Sequence, residues 1–175
     1  ASAPDYETKT SYTATVTATD GTNSTTQSIM VNVTNLNDNS PVFASPTSLS
    51  AKENQTTIGT VFATDADGNA LSYSISGTDA SSVSINLSSG ALTFNSAPDY
   101  ETKSSYSFTA TATDGANSAT QSITVNVTDV DDVAPVFTSS ASLSAAENQT
   151  AIGTVRATDV DTDNSSINFT VSGSE

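Results

Sequence analysis

Cysteine, histidine and tryptophan are all missing from this sequence. Without thiols or imidazoles there are no disulfides, no thiolate nucleophiles, no zinc sites of the usual ligand set and no catalytic triad built on histidine. Basic residues are scarce as well. Four Lys and Arg stand against 19 Asp and Glu, for a formal net charge of -15. Such a chain repels nucleic acid and anionic membrane surfaces and attracts cations. No stretch approaches the roughly 18 consecutive apolar residues of a membrane span. The first residues lack the features of a secretion signal and read as the middle of a structural unit.

What is present is Thr, Val, Ile, Tyr and Phe at alternating positions, the pattern of half-buried strands. Apolar residues make up 35% of the chain, enough for small sandwich cores. The organisation follows from an internal repeat. APDYETKTSYTATVTATDG, starting at Ala3, returns as APDYETKSSYSFTATATDG at Ala97, and SLSAKENQTTIGTV at Ser48 returns as SLSAAENQTAIGTV at Ser142, each offset by 94 residues. With the unit beginning just before the Pro-Val-Phe segments, residues 1–39 are the C-terminal part of one repeat, 40–133 a complete repeat and 134–175 the N-terminal part of a third. Seven strands are expected in the complete repeat, at 49–53, 58–64, 71–77, 83–87, 91–95, 106–113 and 119–128. Gly, Asn, Asp and Ser turn signals separate them, which suits an antiparallel sandwich with no helix.

An up-and-down count places the loops. Glu53, Asp99, Glu101, Asp129, Asp131 and Asp132 fall at the exit end of the unit, and Asp65, Asp67 and Asp114 at the entry end. Of the 19 acids, 16 occupy such positions in one repeat or another; Asp79, Asp163 and Glu175 do not. Stacking units end to end therefore gathers carboxylates at each junction, where they repel without a counter-charge. Lys9, Lys52, Lys103 and Arg156 are too few to neutralise them. A hard divalent cation taking six to eight oxygens resolves the conflict, and Ca2+ suits the carboxylate, carbonyl and Asn oxygens better than Mg2+, which needs rigid octahedral geometry. An EF-hand is excluded for the stretch from Asp159, because Asn164 stands where Gly is required and Thr170 where the bidentate Glu belongs.

Five short motifs recur in register: AKENQ after the first strand, ATDADG in the second turn, PDYETK before the sixth strand, TATDG after it, and the linker NLNDNSP. In this order they resemble the cadherin repeat. The Thr-rich wording is similar to the tandem cadherin-like domains of large bacterial surface proteins more than to animal cadherins. The resemblance implies an all-β chain of tandem seven-stranded, Greek-key, immunoglobulin-like sandwiches of the cadherin type, with two calcium clusters. The first would use Asp5, Glu7, Asn37, Asp38, Asn39, Asp65, Asp67 and Asp114, and it lacks a counterpart of Glu53, so a weaker site is expected. The second would use Glu53, Asp99, Glu101, Asp131, Asp132, Asp159 and Asp161, with Val133 replacing the second linker Asn and removing one ligand. Asp20 and Glu147 would serve junctions further along an array.

The function expected is a calcium-rigidified extracellular array at a cell surface, a spacer or adhesin, with the terminal pieces completed by neighbouring sequence or by another subunit in a filament. Its partners would be neighbouring repeats, of the same or another chain, and another cell-surface protein or glycan. A carbohydrate-binding accessory module is the alternative, disfavoured because sugar sites use stacking aromatics, Trp above all, and only Tyr6 and Tyr100 fall outside core-phase positions. An enzyme built on paired carboxylates is disfavoured because every pair is already claimed by a junction.

Overall fold

A computed structural model describes residues 2–161 and 166–173. Asp163, Asn164 and Glu175 lie outside the described residues. In chain order the elements are β1 (Ser11–Thr19), β2 (Ser24–Asn32), β3 (Val42–Phe43), β4 (Ser48–Lys52), β5 (Thr57–Thr60), β6 (Ala63–Thr64) and β7 (Ser72–Ser76). A 3-10 turn at Ala80–Ser82 precedes β8 (Val83–Ile85), β9 (Ala91–Phe94), β10 (Ser105–Thr113), β11 (Ser118–Thr128), β12 (Val136–Phe137) and β13 (Ala157–Thr158). Among the described residues no helix is long and apolar enough to cross a membrane.

The central unit is a β-sandwich. One sheet has the order β4-β11-β10-β7, the other β5-β9-β8, and β3 pairs with β6 alongside. Every pairing agrees with strands running alternately up and down. Neighbours of opposite direction are antiparallel, and β4, which runs the same way as β11, pairs with it in parallel, Leu49 opposite Val125. Alternation along β10 and β11 turns Phe108, Ala110, Ala112, Ile123, Val125 and Val127 inward. They meet Val83, Leu92 and Phe94 from the facing strands, and Val61 from the crossing between β5 and β6. Gly90 is required where it stands. Its φ is +69°, and a Cβ there would lie 2.1 Å from the Val61 carbonyl oxygen.

Three expectations need correcting. The strand expected at 58–64 divides into β5 and β6, because the chain crosses from the β9 ladder to the β3 ladder at Val61, whose N–H donates to the Gly90 carbonyl. The strand expected at 83–87 stops at Ile85, because Asn86 Oδ1 accepts the Ser88 and Ser89 amides and turns the chain, leaving Leu87 exposed. The absence of any helix holds except for the 3-10 turn at Ala80–Ser82. Asp79 anchors the chain there by accepting from Lys103 and from the Ser107 amide.

The flanking segments share the sequence but not the burial. Hairpin β1–β2 pairs Val16 with Gln27 and Tyr12 with Val31, in the register of its counterpart β10–β11. Yet Val31 is 56% exposed where Val125 is fully buried, and Val16 is 54% exposed where Ala110 is fully buried. Residues 142–146, whose counterparts form β4, are not in a strand. Strand formation is conditional on the partner strand and facing sheet, which only the central unit supplies. Replacing buried Ile123 by Ala is accordingly expected to lower the stability of the central unit by about 2–5 kcal/mol. Ile29→Ala, at the same place in the repeat, should change it by less than ~0.5 kcal/mol. Chemical denaturation of the two variants checks the contrast.

Candidate metal centres at the two junctions

Local turn chemistry builds the entry end of the central unit. Asp65 Oδ1 accepts the Asn69 amide around Gly68, and Asp114 Oδ1 accepts the Ala116 and Asn117 amides at 2.7 and 2.6 Å. The Asp114 contact is an Asx turn, and in both loops a short carboxylate satisfies the backbone of its own loop. The preceding linker is drawn onto this end. Asp67 Oδ2 accepts the backbone amides of Asp38 and Asn39 at 3.1 and 2.8 Å, and its Oδ1 accepts Asn39 Nδ2 at 2.9 Å. Asn117 Nδ2 donates to Asn37 Oδ1 at 3.1 Å and to the Asn39 carbonyl at 3.0 Å. Glu7, Asp38 and Asp67 each bring one carboxylate oxygen within 4.8 Å of the others.

The exit end repeats this geometry. Asp161 Oδ2 accepts the amides of Asp132 and Val133 at 2.8 and 2.5 Å, as Asp67 does from Asp38 and Asn39. Glu53, only 3% exposed, is fixed from both sides: its Oε1 accepts the Val130 amide at 2.6 Å and its Oε2 the Tyr100 amide at 2.8 Å. Asn54 follows it at a φ of +61°, a left-handed conformation that Asn tolerates, so the chain reverses immediately after the buried Glu. Three triads share oxygens within 4.8 Å here: Glu53, Asp99 and Glu101; Glu101, Asp129 and Asp161; Asp131, Asp159 and Asp161.

The sequence-derived ligands thus divide. Glu7, Asp38 and Asp67 at one end, and Glu53, Asp99, Glu101, Asp131, Asp159 and Asp161 at the other, stand in carboxylate triads. Asp5 instead accepts Thr8 Oγ1 and the Glu7 amide, Asp114 is held by its own loop, and Asp132 accepts Asn54 Nδ2. Asn37 and Asn39 contribute through Asn117 and Asp67. Asp129, which the sequence places at the exit end but outside the expected ligand set, joins a triad with Glu101 and Asp161. Its counterpart is Asn35, whose Nδ2 donates to the Asp67 carbonyl. The sequence signal for it is the acid itself, in a linker position that the five motifs do not mark.

Two observations bear on whether a cation fits. Asp65 Oδ2 and Asp161 Oδ1 are buried and have no hydrogen-bond partner, one at each end of the unit. A buried carboxylate oxygen without a donor is costly unless a cation meets it. The second observation is electrostatic. The Glu101 carboxyl is pushed up to about 7: its own backbone amide, the largest influence, lowers it, but desolvation and the charges of Glu53 and Asp161 outweigh that. Desolvation, then Asp161 and Glu53, also raises Asp129. Glu7 is raised as well, its own amide lowering it and desolvation, Asp5 and Asp67 prevailing. The bases do not relieve this repulsion, since Lys103 pairs with Asp79 and Lys9 lies 4.5 Å from the Tyr12 ring centre. The donor set, all hard oxygen with no nitrogen or sulfur, suits a hard dication.

A raised carboxylate pKa means that the folded state binds the proton more tightly than the unfolded one. The Glu101 contribution is therefore fully present below about 4.5 and lost as pH rises through about 7. With divalent cations chelated, the melting temperature should rise as pH falls between those values, and Glu101→Gln should flatten that slope. With a cation present the slope should reverse, because the proton and the metal compete for the same oxygens. Melts across that window, with and without chelator, check both signs.

Comparison with known proteins bears on the family and the fold. Residues 47–128 match the family model described as Cadherin domain. The chain is 37% identical over 152 residues to the Protocadherin-like wing polarity protein stan of Drosophila melanogaster, covering 77% of this chain and 4% of that protein. It is 40% identical over 148 residues to human Protocadherin Fat 1, covering 76% of this chain and 3% of that protein. Among solved structures, one titled Protocadherin gammaB7 EC3-6 cis-dimer structure superposes with a TM-score of 0.71 at 35% identity, covering 78% of this chain and 36% of that one. Protocadherin Gamma B2 extracellular cadherin domains 3-6 gives 0.70 at 32% identity, over 76% and 36%. The chain thus spans only a few hundredths of the length of these curated relatives.

Proposed function

Residues 47–128 are a cadherin-type repeat, and from that premise we propose that the chain is a segment of an extracellular, cell-surface array whose junctions stiffen when calcium binds. The unit boundaries are 1–39, 40–133 and 134–175, the pieces that the 94-residue repeat defines. The observation that carries this reading is the doubled junction. Asp67 and Asp161, 94 residues apart, reach back to the preceding linker in the same way, each beside a carboxylate triad. Without an ion, the clustered charges push adjacent units apart and the linker flexes. With calcium, oxygens from both units and the linker share the ion, and the array becomes a rod. When bound, calcium supplies charge neutralisation and a fixed coordination geometry. The side chains of Glu7, Asp38, Asp65 and Asp67 would hold it at the first junction, and those of Glu53, Asp99, Glu101, Asp129, Asp131, Asp159 and Asp161 at the second.

The array serves as a spacer or adhesin, and its non-catalytic character follows from the same premise. Its partners are neighbouring repeats, in the same chain or another copy within a filament, and another cell-surface protein or glycan. The simple Thr-rich repeats favour a bacterial surface array. The two junctions are unequal: Val133 cannot reproduce the Asn39 side-chain bond to Asp67 Oδ1, but Asp129 adds a carboxylate where the first junction has Asn35.

Calorimetric titration with calcium, paired with melting in chelator, tests the proposal. Binding at millimolar affinity or tighter should raise the melting temperature, and Asp65→Ala with Asp67→Ala should abolish the first-junction event while sparing the second. A flat titration of the intact chain would overturn the calcium reading and leave a plain spacer.

A further inference from the structure

The two junctions are near copies that differ in their linkers. Residues 35–41 read NLNDNSP and their counterparts 129–135 read DVDDVAP. The acids around them, Glu7 with Glu101, Asp65 with Asp159 and Asp67 with Asp161, are the same in kind. Asn35, Asn37 and Asn39 thus stand where the second linker has Asp129, Asp131 and Val133. Asn35 Nδ2 donates across the first junction to the Asp67 carbonyl at 2.9 Å, and Asn39 Nδ2 donates to Asp67 Oδ1 at 2.9 Å. Asn39 Nδ2 also reaches Asp38 Oδ1 at 3.1 Å, so one amide spans two carboxylates that would otherwise repel. Together with the backbone amides of Asp38 and Asn39 on Oδ2, four N–H donors of this linker hold Asp67.

The second linker has no equivalent of these side-chain donors. An ionised Asp129 only accepts, and Val133 has no polar side-chain atom. Among the described residues, the backbone amides of Asp132 and Val133 are what this linker places on Asp161 Oδ2. The replacements also bring charge: Asp129 stands in a triad with Glu101 and Asp161, and Asp131 in one with Asp159 and Asp161. Toward the central unit the same linker is well fastened, since Glu53 accepts the Val130 amide and Asp132 accepts Asn54 Nδ2. The weak side of this joint is therefore the one that faces Asp161.

We propose that the first junction is a fixed joint, held by asparagine amides with or without calcium, and that the second is a hinge that calcium closes. The proposal deepens the calcium reading above and rests on it for the second junction alone. Calcium entering the first junction meets a linker already in place. At the second, it supplies the positive charge for which the linker offers no side-chain donor. The two added carboxylates also favour binding there, because ligand charge count tunes calcium affinity. A rising calcium concentration thus acts first where it changes most. Removing the ion frees one joint and leaves the other set.

Amide hydrogen exchange of the full chain reads both joints at once, with each rate normalised to that of the unfolded sequence. In chelator, the Asp38 and Asn39 amides should be protected at least about tenfold more than those of Asp132 and Val133, the scale of one hydrogen bond to a charged group. Saturating calcium should raise the protection of the second pair at least about tenfold and change the first pair far less. Asn35→Asp with Asn39→Val should bring the first pair down to the level of the second in chelator. Asp129→Asn with Val133→Asn should raise the second pair. The buried Ile123 and Val125 report through their own amides that the central unit is folded in each variant, and the unmutated chain decides the matter where a variant is not. Equal protection of the two pairs in chelator, or exchanged linker residues that leave their order unchanged, would overturn the proposal, while a calcium response at both pairs would leave the calcium reading standing. A response at neither pair would overturn the calcium reading and the hinge with it.

Discussion

A single carboxylate governs each junction. Asp67 accepts two consecutive amides of the linker before it, and Asp161 does the same one repeat later. Consecutive N–H groups converging on one anion make a compact docking contact, stronger than a neutral hydrogen bond and specific in direction. It fixes where the linker lands on the next sandwich, and so which acids are brought together there. The rest of the junction follows from it: Glu7 and Asp38 arrive beside Asp67, and Asp131 and Asp129 arrive beside Asp161. The same contact creates the repulsion that a dication would relieve, because it anchors one carboxylate within reach of several others.

The sandwich is the frame that makes this possible, and its stability is local. Among the described residues the hydrophobic core runs from Ala51 to Val127. The same apolar stripe on β1 and β2 remains open to water, although the sequence there is nearly the same. Burial is therefore a property of the assembled unit and not of the strand. The junctions, rather than a continuous core, join the central unit to its flanking segments, and the clustered acids lie at the ends of that unit.

Much of this was legible in the sequence because period and direction are simple quantities. The 94-residue offset and the strand alternation place the strands of the two main sheets but not the short β3 at Val42–Phe43, and the count of strand directions places the acids at the two ends and accounts for the parallel pairing of β4 with β11. What escaped depended on contacts distant in the chain. The break at Val61 arises from the Gly90 carbonyl, and no pattern within 58–64 signals it. Leu87 reads as strand by alternation, but the Asx turn at Asn86 prevails. Asp132 reads as a ligand by motif, and the hydrogen bond it accepts from Asn54, 78 residues away, has no signal in that motif. Asp129 lies at the exit end but outside the linker motif, so the motif alone does not mark it. Glu53 is the opposite case: a Glu-Asn pair signalled both the buried carboxylate and the left-handed residue that lets the chain turn after it.

The central claim is that the carboxylate groups at the two junctions converge on space fit for a doubly charged ion. Anomalous diffraction from crystals grown with calcium tests this most directly. The account predicts difference peaks at both junctions, one among Glu7, Asp38, Asp65 and Asp67 and another among Glu101, Asp129, Asp131 and Asp161, with the buried oxygens of Asp65 and Asp161 in coordination distance. Crystals saturated with calcium that show no peak at either junction, with those carboxylates turned apart into solvent, would contradict it.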